Sequence, residues 1–446
     1  MLIRVIIKNL LSFREETEFN MLKGSPRKLN HHVYKVKKLE LLKAAAIYGA
    51  NGAGKSNLVK AISLLKKIVI SENIPNNIDD LKFKLNKTGK EDPMYLAIEF
   101  IFDNNLYFYE VSINAGKIIE EKLSKSLNKL DSYEILFSRE SSGIKIKFND
   151  VFEKKEENEI LKNVIEKSLL RPDQSLIFLL NRIRVSQFKE IKSVFNWFIN
   201  SLEIIYPESH PAFLPYLFEK DNNFRDFANL NISAFKTGIN SVKVQKIKLE
   251  KFLGEDNKSE GIQIRNDLLN EPNKFIGKVV NNETIVFYQE DNTIYALKLI
   301  FEHINNEGKS INFTYQEESD GTKKLLDYLP AFLNVIISNK VYVIDEIERS
   351  IHPLLIKELL NKFLSDKDTK GQIVFTTHES SLLDQNILRR DEIWFAEKNK
   401  RDSTELYPLS EFKVHNTTDI RKGYLNGRYG AIPFLGNLKD LNWKIK

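Results

Sequence analysis

Residues 44–56 read Ala44-Ala-Ala-Ile-Tyr-Gly49-Ala-Asn-Gly-Ala-Gly-Lys55-Ser56. Five apolar residues run into a glycine-rich turn, and from Lys55 the apolar pattern changes period. Leu58, Ala61, Ile62, Leu65, Ile68 and Val69 then recur at helical spacing. The stretch predicts a buried strand, a glycine loop and an amphipathic helix. Its loop matches G-x-x-x-x-G-K-[ST], in which glycines let successive backbone amides turn towards one anion while the helix N-terminus adds positive potential. Gly49, Ala50, Asn51, Gly52, Ala53, Gly54, Lys55 and Ser56 are therefore expected to cradle the phosphates of ATP. Lys55 would reach the β and γ phosphates and Ser56 would ligate Mg2+. A chance match in a glycine-rich turn is the bland alternative, but the strand before and the helix after supply the context the motif requires.

Further along, Val341-Tyr-Val-Ile-Asp345-Glu346 is a hydrophobic strand ending in two carboxylates. Asp345 at such a strand end can hold the Mg2+ shell beside Ser56, and Glu346 is placed to activate an attacking water. Thr376-Thr377-His378 ends the next expected strand, where a histidine can report the γ-phosphate. His378 as a cap for a helix starting near Ser380 is the competing reading. Glu318-Ser319-Asp-Gly321-Thr-Lys-Lys324 precedes an apolar-striped helix, so Ser319 and Gly321 would stand at a helix N-terminus, a ready anion site or a plain N-cap.

The segments around these motifs differ in texture. Residues 2–7 read as a first strand, and Tyr95–Phe102 with Leu106–Ile113 flank Asp103-Asn-Asn105 as a hairpin would. Short strands are expected at Lys117–Leu123, Glu134–Arg139 and Gly143–Phe148. From 151 the chain turns polar and helical, with Lys243–Lys251 a charge-rich part of it and Asp256–Ser259 a loop. After 284 strands alternate with helices again. The division expected is an N-terminal lobe over 1–150, a helical insertion over 151–283 and a C-terminal lobe over 284–446. The fold class is α/β, a mostly parallel sheet with an antiparallel subdomain.

Bulk numbers narrow the setting. The 446 residues, 42% hydrophobic and 29% charged, are ordinary for a globular protein and long enough for two lobes. Cysteine is absent, which excludes a disulfide framework, a zinc knuckle and a cysteine nucleophile. No run approaches the roughly 18 uninterrupted apolar residues of a membrane helix. A soluble, cytoplasmic protein with no membrane partner is expected. The net charge of +6, from 67 basic and 61 acidic residues, is a mild excess. Clusters such as Lys35-Val-Lys-Lys38 read as solvated surface rather than a DNA stripe.

The order of motifs resembles ABC-type ATPase heads of the SMC and RecF kind: glycine loop, antiparallel subdomain, helical insertion, signature, strand with two carboxylates, switch histidine. Asp345-Glu-Ile-Glu-Arg-Ser-Ile-His352-Pro353, Thr376-Thr-His378-Glu379 and Arg428-Tyr-Gly-Ala-Ile-Pro433 look like the AAA-type, OLD-related ATPases of bacterial abortive infection, and Asn9-Leu-Leu-Ser-Phe13 suits the same group. The resemblance implies a P-loop NTPase of ABC-head type working as a homodimer or higher oligomer. Ser319 and Gly321 of one copy would face the nucleotide of another. Two features depart from it. Residues 70–150 contain no glutamine for a Q-loop, and His352 stands where transporter-type relatives carry an aspartate. OLD nucleases append a TOPRIM domain, but the stretch after His378 is too short for one, so any nuclease is expected elsewhere.

Three functions compete: a nucleotide-switched sensor or scaffold in anti-phage defence that controls a separately encoded toxin or nuclease, a DNA-handling ATPase of repair or recombination, and a transport ATPase. The missing Q-loop glutamine speaks against transport. DNA stays a possible partner, and the resemblance is what favours the sensor.

Overall fold

The computed structural model describes residues 1–26, 28–85, 91–127, 132–140, 143–146, 155–183, 188–254, 258–270, 275–280, 283–415 and 418–432. Phe148, Asp256 and Pro433, named above, lie outside them. The chain opens with β1 (Leu2–Lys8) and β2 (Thr17–Asn20), then a hairpin of β3 (Val33–Val36) and β4 (Leu39–Leu42). It reaches β5 (Ala44–Tyr48), whose glycine loop feeds α1 (Lys55–Ile70). An antiparallel run follows: β6 (Met94–Phe102), β7 (Asn105–Asn114), β8 (Lys117–Ser126), β9 (Tyr133–Glu140) and β10 (Gly143–Ile146). Asp103 and Asn104, at φ 47° and 60°, make the β6–β7 turn with the left-handed pair that tight hairpins need.

Then come α2 (Lys155–Val164), α3 (Leu176–Arg182), α4 (Lys189–Asn196) and β11 (Leu202–Ile205). Helices α5 (Leu214–Lys220) and α6 (Asn222–Ala234) precede β12 (Ile239–Lys248), and α7 (Leu249–Leu253) and α8 (Lys258–Asn270) precede β13 (Phe275–Val280). Strands β14 (Glu283–Glu290), β15 (Thr293–Ile304) and β16 (Ser310–Thr314) lead to α9 (Asp320–Ile337). The last elements are β17 (Val341–Ile344), α10 (Pro353–Ser365), β18 (Gln372–Thr376), β19 (Ile393–Lys398), β20 (Thr404–Pro408) and α11 (Ile420–Leu425).

Two compact units result: Met1–Pro207 with Val335–Ile347 and Leu359–Lys446, and Glu208–Asn334 with Glu348–Glu358. The first holds two large sheets. One is antiparallel in the order β10-β9-β8-β7-β6-β1-β2. The other runs β11-β17-β18-β5-β19-β20, parallel from β11 to β19 with β20 antiparallel at its edge. Strand β5 is buried at every position, and the α1 stripe of Leu58, Ala61, Ile62, Leu65, Ile68 and Val69 is fully buried in the same core. Truncating one of its larger members, such as Leu65→Ala, would cost about 2–5 kcal/mol. Trp197 stacks on Phe100 at 3.9 Å between ring centroids.

The second unit carries the sheet β12-β15-β14-β13, with β16 also on β15. Its core joins Phe218, Phe224 and Ile232 to Val242, Phe301, Leu326 and Leu329. The middle of the chain is thus mixed where its composition suggests helix. Lys243–Lys251 in particular is mostly strand β12 followed by the start of α7, because its charges point outward onto partners across the sheet. Lys243 meets Glu302 at 2.7 Å, and Lys246 pairs with Glu290.

Candidate functional site

Strands β5, β17 and β18 run parallel and adjacent, in registers that align Ile344 with Phe375 and Thr376 with Ile47. Their carboxyl ends therefore open on one edge of the sheet, where ligands of open α/β sheets bind. The glycine loop leaves β5 at that edge. Gly54 has φ +107°, and a Cβ there would lie 2.1 Å from Thr404 Oγ1, so both conformation and space demand glycine. The loop is propped from below. The Thr404 hydroxyl is 2.8 Å from the Ala53 carbonyl and 2.8 Å from Ser12 Oγ, which also accepts Asn57 Nδ2 at 2.8 Å.

Lys55 is buried at the first turn of α1. Its ammonium donates to the Gly49 and Ala50 carbonyls at 2.8 and 3.1 Å and lies 3.4 Å from His378 Nδ1. Ser56 Oγ donates to Asp345 Oδ1 at 3.0 Å. The same carboxylate oxygen accepts the Thr376 hydroxyl at 2.6 Å, and Thr376 Oγ1 in turn accepts the Glu346 amide at 2.8 Å. Glu346 sits at φ +50°, a left-handed conformation uncommon outside glycine.

The first unit thus gathers Gly49, Ala50, Asn51, Gly52, Ala53, Gly54, Lys55, Ser56, Asp345, Glu346 and His378 at one sheet edge. His378 does not cap the short helical turn beyond it; Glu379 does, accepting the Ser381 amide at 2.7 Å. His378 is solvent-exposed. Ser319 and Gly321 lie in the second unit. Ser319 Oγ accepts the Thr322 amide at 3.2 Å and caps α9, so the N-cap reading holds for its hydrogen bond. A Cβ on Gly321 would stand 2.8 Å from the Ser350 carbonyl oxygen, which makes glycine a matter of close backbone approach. Just before them, the Glu318 carboxylate meets His303 Nε2 at 2.6 Å.

Ser12, Thr376 and Thr404 were not legible as site residues. Ser12 belongs to the Asn9–Phe13 opening and Thr376 stands two positions before His378, but a lone hydroxyl in a strand or turn carries no pattern of its own.

Comparison with known proteins adds a family. The family described as "AAA domain, putative AbiEii toxin, Type IV TA system" matches residues 44–384. Among solved structures, the chain is similar to the "SMC head domain from Thermotoga maritima" at 11% identity and a TM-score of 0.40, covering 91% of this chain and 98% of that one. It is also similar to the SmcHead in a crystal structure with the C-winged helix domain of ScpA, at 13% identity and a TM-score of 0.42, covering 91% and 97%. No curated protein matches the chain. No helix among the described residues is long and apolar enough to cross a membrane. A mostly parallel sheet with the glycine loop after β5 and the carboxylates after β17, accompanied by antiparallel sheets, makes this an α/β fold. Because the matched span takes in the loop, both carboxylates and His378, the chain belongs to the AAA-domain ATPase family of that description.

Proposed function

We propose that this chain binds and hydrolyses ATP at a site completed by a second copy of itself, and that the resulting closed–open cycle serves as a nucleotide-switched sensor or scaffold in anti-phage defence. Its output is a separately encoded toxin or nuclease. Within the OLD-related group, the ATPase subunit AriA of the PARIS system is the member type we take this chain to resemble most. The toxin–antitoxin wording of the family description supports a defence pair.

The observation that carries the ATPase reading is the convergence of Lys55 on His378 at 3.4 Å beside Ser56 on Asp345 at 3.0 Å. Lys55 meets the β and γ phosphates, and His378 hydrogen-bonds the γ-phosphate. The Ser56 hydroxyl and Asp345 carboxylate are adjacent hard oxygen donors and fit Mg2+, which supplies charge neutralisation to the phosphates when bound. Glu346 orients a water and takes its proton as the water oxygen attacks the γ-phosphorus. The bond to the β–γ bridging oxygen breaks, leaving ADP and phosphate. Ser319 and Gly321 of the second copy present the α9 N-terminus to the γ-phosphate, where its partial positive charge favours the anion.

Purified chain assayed with MgATP, and co-expressed with its genomic neighbours under phage challenge, tests the reading. Turnover, ATP-dependent dimerisation and co-elution of a toxin or nuclease are expected. Absence of nucleotide binding would overturn the ATPase reading. Salt-dependent DNA binding with stimulated hydrolysis would replace the sensor by a DNA-handling ATPase.

A further inference from the structure

We infer that Thr376 is a positioning residue that fixes Asp345 and Glu346 relative to each other through one hydroxyl. A threonine hydroxyl has a single O–H and two lone pairs. Here the proton goes to Asp345 Oδ1 at 2.6 Å and a lone pair takes the Glu346 amide at 2.8 Å. The residue is fully buried, so water cannot replace either partner. Its own carbonyl accepts the Ile347 amide at 3.1 Å, tying the turn after β17 to the end of β18 on both sides of Glu346.

Two consequences follow for the carboxylates. Ser56 and Thr376 converge on the same Asp345 oxygen, Oδ1, which fixes the rotation of the carboxylate about its Cβ–Cγ bond. Glu346 sits at φ +50°, a conformation that a non-glycine residue holds only when its surroundings impose it. The hydroxyl that holds the Glu346 amide in that conformation is the one that orients Asp345. Thr376 leads directly into Thr377 and His378, so one short segment at the end of β18 reaches both carboxylates and the histidine.

The inference rests on the ATPase reading for its catalytic meaning, and hydrogen exchange makes the two separable. Thr376→Val keeps the shape and removes the hydroxyl; Thr376→Ser keeps the hydroxyl and loses the methyl group. In the full chain, Thr376→Val should lower kcat by about 10–100-fold with little change in the KM for ATP, as for other residues that orient metal ligands. It should also deprotect the Glu346 amide in hydrogen exchange, and Thr376→Ser should restore both. If the residue served only packing, the order would reverse, with valine active and serine impaired. Valine with parental turnover and a protected Glu346 amide overturns the proposal. Should valine fail to fold, Thr376→Ala against Thr376→Ser poses the same question. A parent chain without ATPase activity defeats the functional reading, while the exchange of the Glu346 amide still decides the positioning role.

Discussion

Ser56 Oγ donates to Asp345 Oδ1 across 3.0 Å although the two residues are 289 positions apart in sequence. The contact joins the first turn of α1 to the end of β17 and places two oxygen donors side by side. Asp345→Asn tests what the charge adds. The amide oxygen can still accept from Ser56 and Thr376, so the fold should persist with a Tm close to the parent. Turnover with MgATP should fall about 10–100-fold and the Mg2+ needed for half-activation should rise. Parental Mg2+ dependence would remove Asp345 from the cation site.

Glu346→Gln should retain ATP and stall its hydrolysis, because an amide cannot accept the proton of the attacking water. A loss of about 10²–10⁴-fold is the range for a general base. The stalled protein should elute as a closed dimer or an assembly of dimers when ATP is present and as a smaller species without it. Turnover at the parental rate would rule out the general-base role.

Ser319→Arg and Lys55→Ala separate a shared site from a self-contained one. Lys55→Ala removes the cation proposed to meet the phosphates and should abolish tight ATP binding. Ser319→Arg leaves the glycine loop untouched, so single copies should bind ATP near normally while hydrolysis is blocked. Mixing the two variants should recover part of the activity, since one composite site then has an intact loop and an intact α9 N-terminus. Ser319→Arg with normal turnover would be the clean refutation of the arrangement.

A fourth expectation concerns the second unit. His210 Nδ1 lies 2.6 Å from Asp327 Oδ2, and this hydrogen bond, partly opposed by burial, raises the histidine above its ordinary range. Burial raises Asp327 as well, with His210 partly offsetting it. Both folded values lie above the unfolded ones, so both contributions favour the fold at lower pH. The histidine part is complete below about pH 6.5 and is lost as pH rises through the raised value. Hydrogen exchange across residues 208–334 should therefore quicken as pH is raised from that point, once corrected for intrinsic exchange. His210→Ala should flatten the histidine part of the dependence. A parental profile unchanged by the substitution would show that the pair does not titrate as described.

Sequence carried the strands around the candidate site well because their signals are local. Ala44–Ser56 holds strand, loop and helix in thirteen consecutive residues, and the turn at Asp103-Asn104 announces its hairpin by composition. Strand β12 was illegible for the opposite reason. Its lysines are matched by Glu290 and Glu302, which lie far along the chain, so in isolation Lys243–Lys248 reads as a charged helix face. The three hydroxyls were hidden by distance too. Ser12 and Thr404, whose oxygens touch at 2.8 Å, stand 392 positions apart, and neither residue type signals such a contact.

That same junction sets a schedule for the protein during its own synthesis. A nascent chain that has emerged as far as α1 already contains the whole glycine loop, yet it lacks Thr404, whose hydroxyl meets the Ala53 carbonyl. Translation at about 5–20 residues per second leaves tens of seconds between the two. During that interval the ribosome carries a glycine loop without its prop, and the hydrogen bond to the Ala53 carbonyl must wait for β20 to arrive.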